Sequence, residues 1–114
     1  MGTPAVGAVV LVRFPFSDLS QAKLRPAVCL ADAGRGDVVL CQITSNTYGD
    51  PSAETLSKAD FSTGSLKVAS FARPGKLFTA NVGLITRTVG QLKPASHQRL
   101  VDAVVQLLRG PSGT

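Results

Sequence analysis

The chain changes its hydrophobic rhythm once, close to its end. Between residues 8 and 92 the apolar residues come in short Val-, Ile- and Leu-rich runs, separated by Pro, Gly, Ser, Asn and Asp. Runs of this kind, about four to eight residues long, read as β-strands joined by turns. Beyond Pro94, the residues Leu100, Val101, Val104, Leu107 and Leu108 recur at i, i+1, i+4, i+7 and i+8, which is the stripe of an amphipathic helix. Short strands at close spacing followed by one helix bury their apolar faces as a small curled sheet with the helix packed on it. A length of 114 residues suits one such core and not two.

The expected layout is a single domain, 1–114: a flexible lead over 1–7, a β-barrel over 8–92, a helix over 94–108 and a tail over 110–114. Within the barrel, residues 8–14 form the first strand, ended by Pro15. Residues 16–24 are polar, lack either period and read as a loop. Residues 25–31 and 37–44 form a hairpin whose turn holds Gly34 and Gly36. Residues 45–54 read as loop and 55–61 as a short strand or helical turn. A turn is expected at 62–64, a strand at 65–71, a second turn at Pro74-Gly75 and another strand at 76–80. The last strand, 83–92, carries Gly90 at a bulge or bend. Pro94 suits the first helical turn and Gly110 the C-terminal cap.

Several function classes fall away. No run approaches the roughly 18 apolar residues of a membrane span. The start, Met1-Gly2-Thr3-Pro4, does not read as a signal peptide, so a cytoplasmic location is expected. Cys29 and Cys41 sit in apolar runs and read as small buried hydrophobes. There is no GxxxxGK[ST], GxGxxG or CxxC motif. The only histidine is His97, which reads as a solvent-facing helix residue, so a two-histidine acid/base pair is excluded by count. The carboxylates are scattered over different elements, which disfavours two-metal catalysis. Neither a metal nor another cofactor is expected. The balance of 12 Lys and Arg against 7 Asp and Glu, net +5, favours a polyanionic partner.

What remains is a cationic, hydroxyl-rich constellation. Arg25 precedes Pro26, which pushes it toward extended geometry at the mouth of its strand. Arg25 and Thr44 lie about equally far from the hairpin turn, so the open end of the hairpin should bring them together, with Ser45 alongside. A guanidinium binds a phosphate bidentately and stabilises charge that develops on it. A threonine hydroxyl can donate or accept there. An arginine at a strand end and a threonine chosen for β-propensity would look the same. Lys23, Arg73 and Lys76, on flanking loops, are candidate contacts to a nucleic-acid backbone, and equally ordinary surface cations. Phe16, Phe71 and Phe78 could stack bases or fill the core.

These residues also carry a resemblance. The run from Gly7 to Asp18 (GAVVLVRFPFSD), then Lys23-Leu24-Arg25-Pro26-Ala27-Val28 and Ile43-Thr44-Ser45, resembles the PemK/MazF family of toxins from bacterial toxin–antitoxin pairs. Asp60-Phe61, Gly64, Leu66, Ser70, Arg73, Lys76-Leu77-Phe78-Thr79 and Val89-Gly90-Gln91-Leu92 continue it in order, so that it covers roughly residues 7–108. The resemblance implies an SH3-like curled β-barrel with a C-terminal α-helix, assembled as a homodimer. It implies metal-independent, sequence-specific cleavage of single-stranded mRNA to a cyclic phosphate and a 5′-OH, with inhibition of translation and growth. It also implies a cognate antitoxin whose acidic tail covers the RNA-binding surface. Carried over residue by residue, Arg25 of the Arg-Pro motif and Thr44 are the residues implicated in catalysis; beside them, Lys23, Ser45, Ser70, Arg73 and Lys76 are the candidate RNA contacts. Some relatives carry a histidine in the first loop or an aspartate just beyond the arginine of Ser-x-x-Arg. Here residues 16–24 contain no His, and Arg73 is followed by Pro74-Gly75. Asp18 is then the nearest carboxylate available as acid or base. Two other readings stand beside this one: a gyrase-poisoning, protein-binding toxin on the same fold, and an RNA-binding module that does not cleave.

Overall fold

A computed structural model describes residues 3–15, 22–47 and 49–110. Seven antiparallel strands form one sheet. In chain order they are β1 (Ala8–Pro15), β2 (Ala22–Gly34), β3 (Asp37–Thr44), β4 (Glu54–Leu56), β5 (Phe61–Gly64), β6 (Ser70–Asn81) and β7 (Ile85–Leu92). The spatial order is β4-β6-β3-β2-β1-β7-β5. One-turn 3-10 helices join β4 to β5 (Lys58–Asp60) and β6 to β7 (Val82–Leu84). Among the described residues there is one α-helix, α1 (Pro94–Arg109), which follows the last strand.

The curl follows from that order. β4 and β5 are the two rims of the sheet, yet only one short turn of chain separates them. The rims must therefore meet, which bends the sheet into a half-barrel. Its concave cluster takes a residue from every strand: Val9, Val28, Cys41 with Ile43, Leu56, Phe61, Ala72 and Leu92, closed by Leu100 of α1. Successive strand residues point to opposite faces, so Val10, Val12, Ala27, Cys29, Val38 and Leu40 make a second cluster on the other face. β1, β2 and β3 thus bury both faces, which is why their sequences read as nearly continuous apolar runs. Cys29 and Cys41 lie on neighbouring strands but in different clusters, and both are free thiols.

The helix is fastened to the rims chiefly through the Asp60 carboxylate. Asp60 accepts hydrogen bonds from the Ser57 amide (2.7 Å), the Ser57 hydroxyl (3.1 Å), the Ser96 hydroxyl (2.8 Å) and Arg99 Nη2 (3.1 Å). Arg99 also pairs through Nε with Glu54 at 3.1 Å. Burial pushes the Asp60 carboxyl up, but these donors outweigh it and hold the group at about 2. Gly110, at φ 79, ends α1 with its amide bonded to the Gln106 and Leu107 carbonyls.

Local expectations hold where the turn chemistry is local. The hairpin turn falls at Arg35 and Gly36, with φ of 57 and 80, the left-handed pair of a two-residue hairpin loop. β3 spans the expected residues, and α1 runs one residue past the expected end. Other boundaries differ. Residues 22–24, expected in a loop, belong to β2. Residues 62–64, expected as a turn, are strand paired with β7, whereas 65–69 are not strand. Pro74-Gly75 does not break the chain into two strands, because β6 runs through it as a bulge. Cys41 pairs with Leu77 and Ile43 with Ala72, so residues 73–76 bulge opposite Gln42. Pro74 has no amide hydrogen to give the ladder, and in a bulge none is asked of it. The Cys41 thiol donates to the Arg73 carbonyl there at 3.1 Å. His97 is not solvent-facing: it is half-buried, and its Nε2 is shielded without a hydrogen-bond partner. On the helix stripe, Leu100 and Val104 are buried while Leu107 and Leu108 stay exposed.

Candidate active site

The open end of the β2–β3 hairpin is set by two bulges. Next to the turn, Gly34 faces Asp37, a register that would place Arg25 opposite Asn46. Shifts between Cys29 and Ala31 and between Asp32 and Gly34 move β2 along by two residues, so that Ala27 faces Gln42. Continued by two residues, that register sets Arg25 opposite Thr44. Alternation then puts Arg25, Gln42 and Thr44 on one face, and opposed residues sit about 4.5–5.5 Å apart at Cα. The neighbour expected from counting along the hairpin therefore depends on bulges that the count did not contain.

A cleft of about 430 Å³ opens at this end. Arg25, Thr44, Ser45 and Ser70 line it, together with Gln42 and Lys67. Pro26, Ile43, Leu66 and Val68 supply its apolar surface. Among the described residues, no carboxylate belongs to the lining. Thr44 Oγ1 accepts the Asn46 amide at 3.1 Å, which folds the chain away from β3 and holds the hydroxyl at the cleft. Ser70 is buried, with its hydroxyl donated to the Val68 carbonyl at 2.9 Å. With the Ser70 hydroxyl committed to Val68, the lining brings a guanidinium, an ammonium and the Thr44 and Ser45 hydroxyls to an anion.

The remaining expected residues are placed as follows. Arg73 does not line the cleft. Its Nε bonds Asp50 at 3.0 Å, and Asp50 also accepts the Ser52 amide at 2.9 Å. The Ser52 amide and then the Arg73 guanidinium hold the Asp50 carboxyl below its ordinary value. Lys76 is exposed in the β6 bulge, outside the cleft lining. Lys23 belongs to β2, paired with Phe14. Phe71 is half-buried opposite Thr44 and Thr55, and Phe78 packs against the second apolar cluster. Asp18 and Phe16 lie outside the described residues. Among the described residues, no three His, Cys, Asp or Glu side chains gather into a metal-binding group, and no helix is long and apolar enough to cross a membrane. Sequence reading missed Lys67 and Gln42. Gln42 alternates with Thr44 on β3 and could have been found by counting; Lys67 sits in an aperiodic segment that gave no signal.

Comparison with known proteins adds two findings. The model of a protein family, PemK-like, MazF-like toxin of type II toxin-antitoxin system, matches residues 5–108. Among solved structures, the chain is similar to MazE-MazF (Form-II) from Deinococcus radiodurans, with a TM-score of 0.75 and 18% identity over 95% of this chain and 97% of that one. It is similar to an endoribonuclease in complex with its cognate antitoxin from a Mycobacterial species, with a TM-score of 0.72 and 16% identity over 97% and 98%. It is also similar to Mycobacterium tuberculosis toxin MazF-mt6, with a TM-score of 0.66 and 18% identity over 85% and 91%. At these identities the structural likeness speaks for the fold. No curated protein sequence matches the chain.

Proposed function

The chain belongs to the PemK-like, MazF-like toxins of type II toxin–antitoxin systems, and from that membership we propose that it is an endoribonuclease that cuts single-stranded mRNA without a metal ion. One observation carries the reading. The arginine and the hydroxyl residues that the resemblance singled out, Arg25 with Thr44, Ser45 and Ser70, line a single cleft with no carboxylate among its described lining residues. The cations of this lining, Arg25 and Lys67, suit a polyanion. The protein-binding alternative has no comparable use for a cation set among hydroxyls.

In the proposed reaction the 2′-OH of the substrate attacks the adjacent phosphorus, and the bond to the 5′ oxygen breaks. The products are a cyclic phosphate and a 5′-OH, and the proton lost by the 2′-OH is balanced by the one gained by the 5′ oxygen. Arg25 holds a non-bridging oxygen and stabilises the charge that builds on it. Thr44 orients the phosphate or the attacking hydroxyl. Ser45 and Ser70 border the bound strand, and Lys23 and Lys76 extend the cationic track along its backbone. Arg73, engaged by Asp50, orders the segment after β3 beside that track. We further propose a homodimer, acting in the cytoplasm and silenced by a cognate antitoxin. The solved relatives of the same fold include complexes of that kind.

The test is incubation of the purified protein with end-labelled single-stranded RNA in EDTA. Cleavage leaving a cyclic phosphate is expected. Arg25→Ala, with an unchanged circular dichroism spectrum, should lose on the order of 10²–10³ in rate. Wild-type rates in that variant would remove Arg25 from the site.

A further inference from the structure

Residues 65–69, between β5 and β6, have a cleft on either side. One is the candidate active site. The other, of about 330 Å³, is lined by Thr55, Ser57, Lys58 and Phe61, among others. Leu66, Lys67 and Val68 line both. The two clefts are therefore separated by the thickness of one segment, with Lys67 on the ridge between them.

Their electrostatic character matches. Like the first cleft, the second has cations and no carboxylate among its described lining residues. Lys58 and Lys67 are exposed, and neither makes an ion pair among the described residues. A third cleft, of about 570 Å³ beside the end of α1, has the opposite character, with Glu54 and no cation among its described lining residues. The second cleft is also apolar at its base. Leu56 and Phe61 are almost wholly buried beneath it, while Val68, 62% exposed, stands on its wall. Apolar surface for a flat base, hydroxyls at the rim and ammonium groups for the backbone are the ordinary means of holding an unpaired nucleotide.

We propose that the second cleft is a subsite for the nucleotide next to the one held at Arg25, and that Lys67 grips the phosphate joining them. A strand that leaves the first cleft for the second must cross the ridge at Lys67. Lys58 then meets the following phosphate. The subsite rests on the RNA-cutting reading above, so its test uses binding rather than cleavage.

The probe is a pair of fluorescent, 2′-O-methylated, single-stranded oligoribonucleotides of random sequence, three and ten nucleotides long. With the 2′ oxygen blocked, the proposed reaction cannot start. Anisotropy titrations should show Lys67→Ala weakening the longer probe on the order of tenfold. The same variant should lower the slope of log Kd against log salt by about 0.7. Lys58→Ala should weaken the longer probe and leave the shorter one unchanged, and Lys67→Arg should restore wild-type binding. Alanine variants that keep their fold and bind the longer probe with wild-type affinity and salt slope overturn the subsite. The cleavage reading fails separately, when wild-type protein binds both probes but leaves unmodified RNA intact. A wild-type protein that binds neither probe removes both.

Discussion

Asp60→Asn should destabilise the fold at neutral pH, and the loss should shrink as the solution is acidified. The carboxylate gathers donors from Ser57, Ser96 and Arg99, and so ties the β4–β5 turn to the first turns of α1. A carboxyl held at about 2 against an ordinary 3.8 corresponds to about 2.4 kcal/mol of stability at pH 7. Arg99 is 48% exposed, so water screens part of that, and about 1–2 kcal/mol is the realistic expectation. Because the folded value lies below the unfolded one, the contribution is complete above about pH 5 and is lost as pH falls through 2. About half of it should be gone at pH 3. The assay is urea unfolding of both proteins at pH 7, 5, 4 and 3. At pH 7 the midpoint of the variant should lie roughly 1 M lower with the slope unchanged. The gap should be close to half as large at pH 3. Taking the difference between the two proteins cancels the titration of every other group. A gap of equal size at pH 7 and pH 3, or no gap at pH 7, would refute the account.

Gly64 has φ +69, and a Cβ there would run into the Val89 carbonyl and the Gly90 backbone. Gly64→Ala should therefore cost at least about 1–3 kcal/mol, read as a fall of several degrees in Tm. Burial raises both thiols, with Cys41 pushed up to about 12. At pH 8 a thiol-specific reagent should leave both cysteines unlabelled in the native protein and label both after denaturation; prompt labelling of Cys41 in the folded state would contradict its place in the core.

What could be read in the sequence was governed by how far away each partner lies. The β2–β3 hairpin was legible because Gly34, Arg35 and Gly36 specify their own turn. The helix was legible because its stripe repeats within one element. The strand at Phe61–Gly64 was not, because its partners lie in β7, near Gly90 and Leu92, and its own residues show no apolar alternation. Pro74-Gly75 looked like a turn because a sequence gives no sign that β3 will pass alongside and leave a gap opposite those residues. In the site, counting along the hairpin brings Arg25 and Thr44 together, and both line one cleft, but counting cannot show the two β2 bulges that set the register there. In the sequence Arg73 reads as a surface cation or RNA contact, because its partner, Asp50, is 23 residues away. Lys67 escaped because what distinguishes it is position, between two clefts, and not composition.

The two rims of the sheet limit how this chain can meet other macromolecules. An unpaired strand rim is where a foreign segment can add itself by main-chain hydrogen bonding, in ordered complexes and in aggregates alike. Here the rims are the shortest strands of the sheet, three residues in β4 and four in β5, and the Asp60–Arg99 network pins them together. Strand addition therefore has little to build on, and recognition falls to side chains on the sheet faces and in the clefts. Side chains can be exchanged without disturbing a ladder. A scaffold of this kind can change what it binds while keeping its backbone, in accord with a fold shared at 16–18% identity.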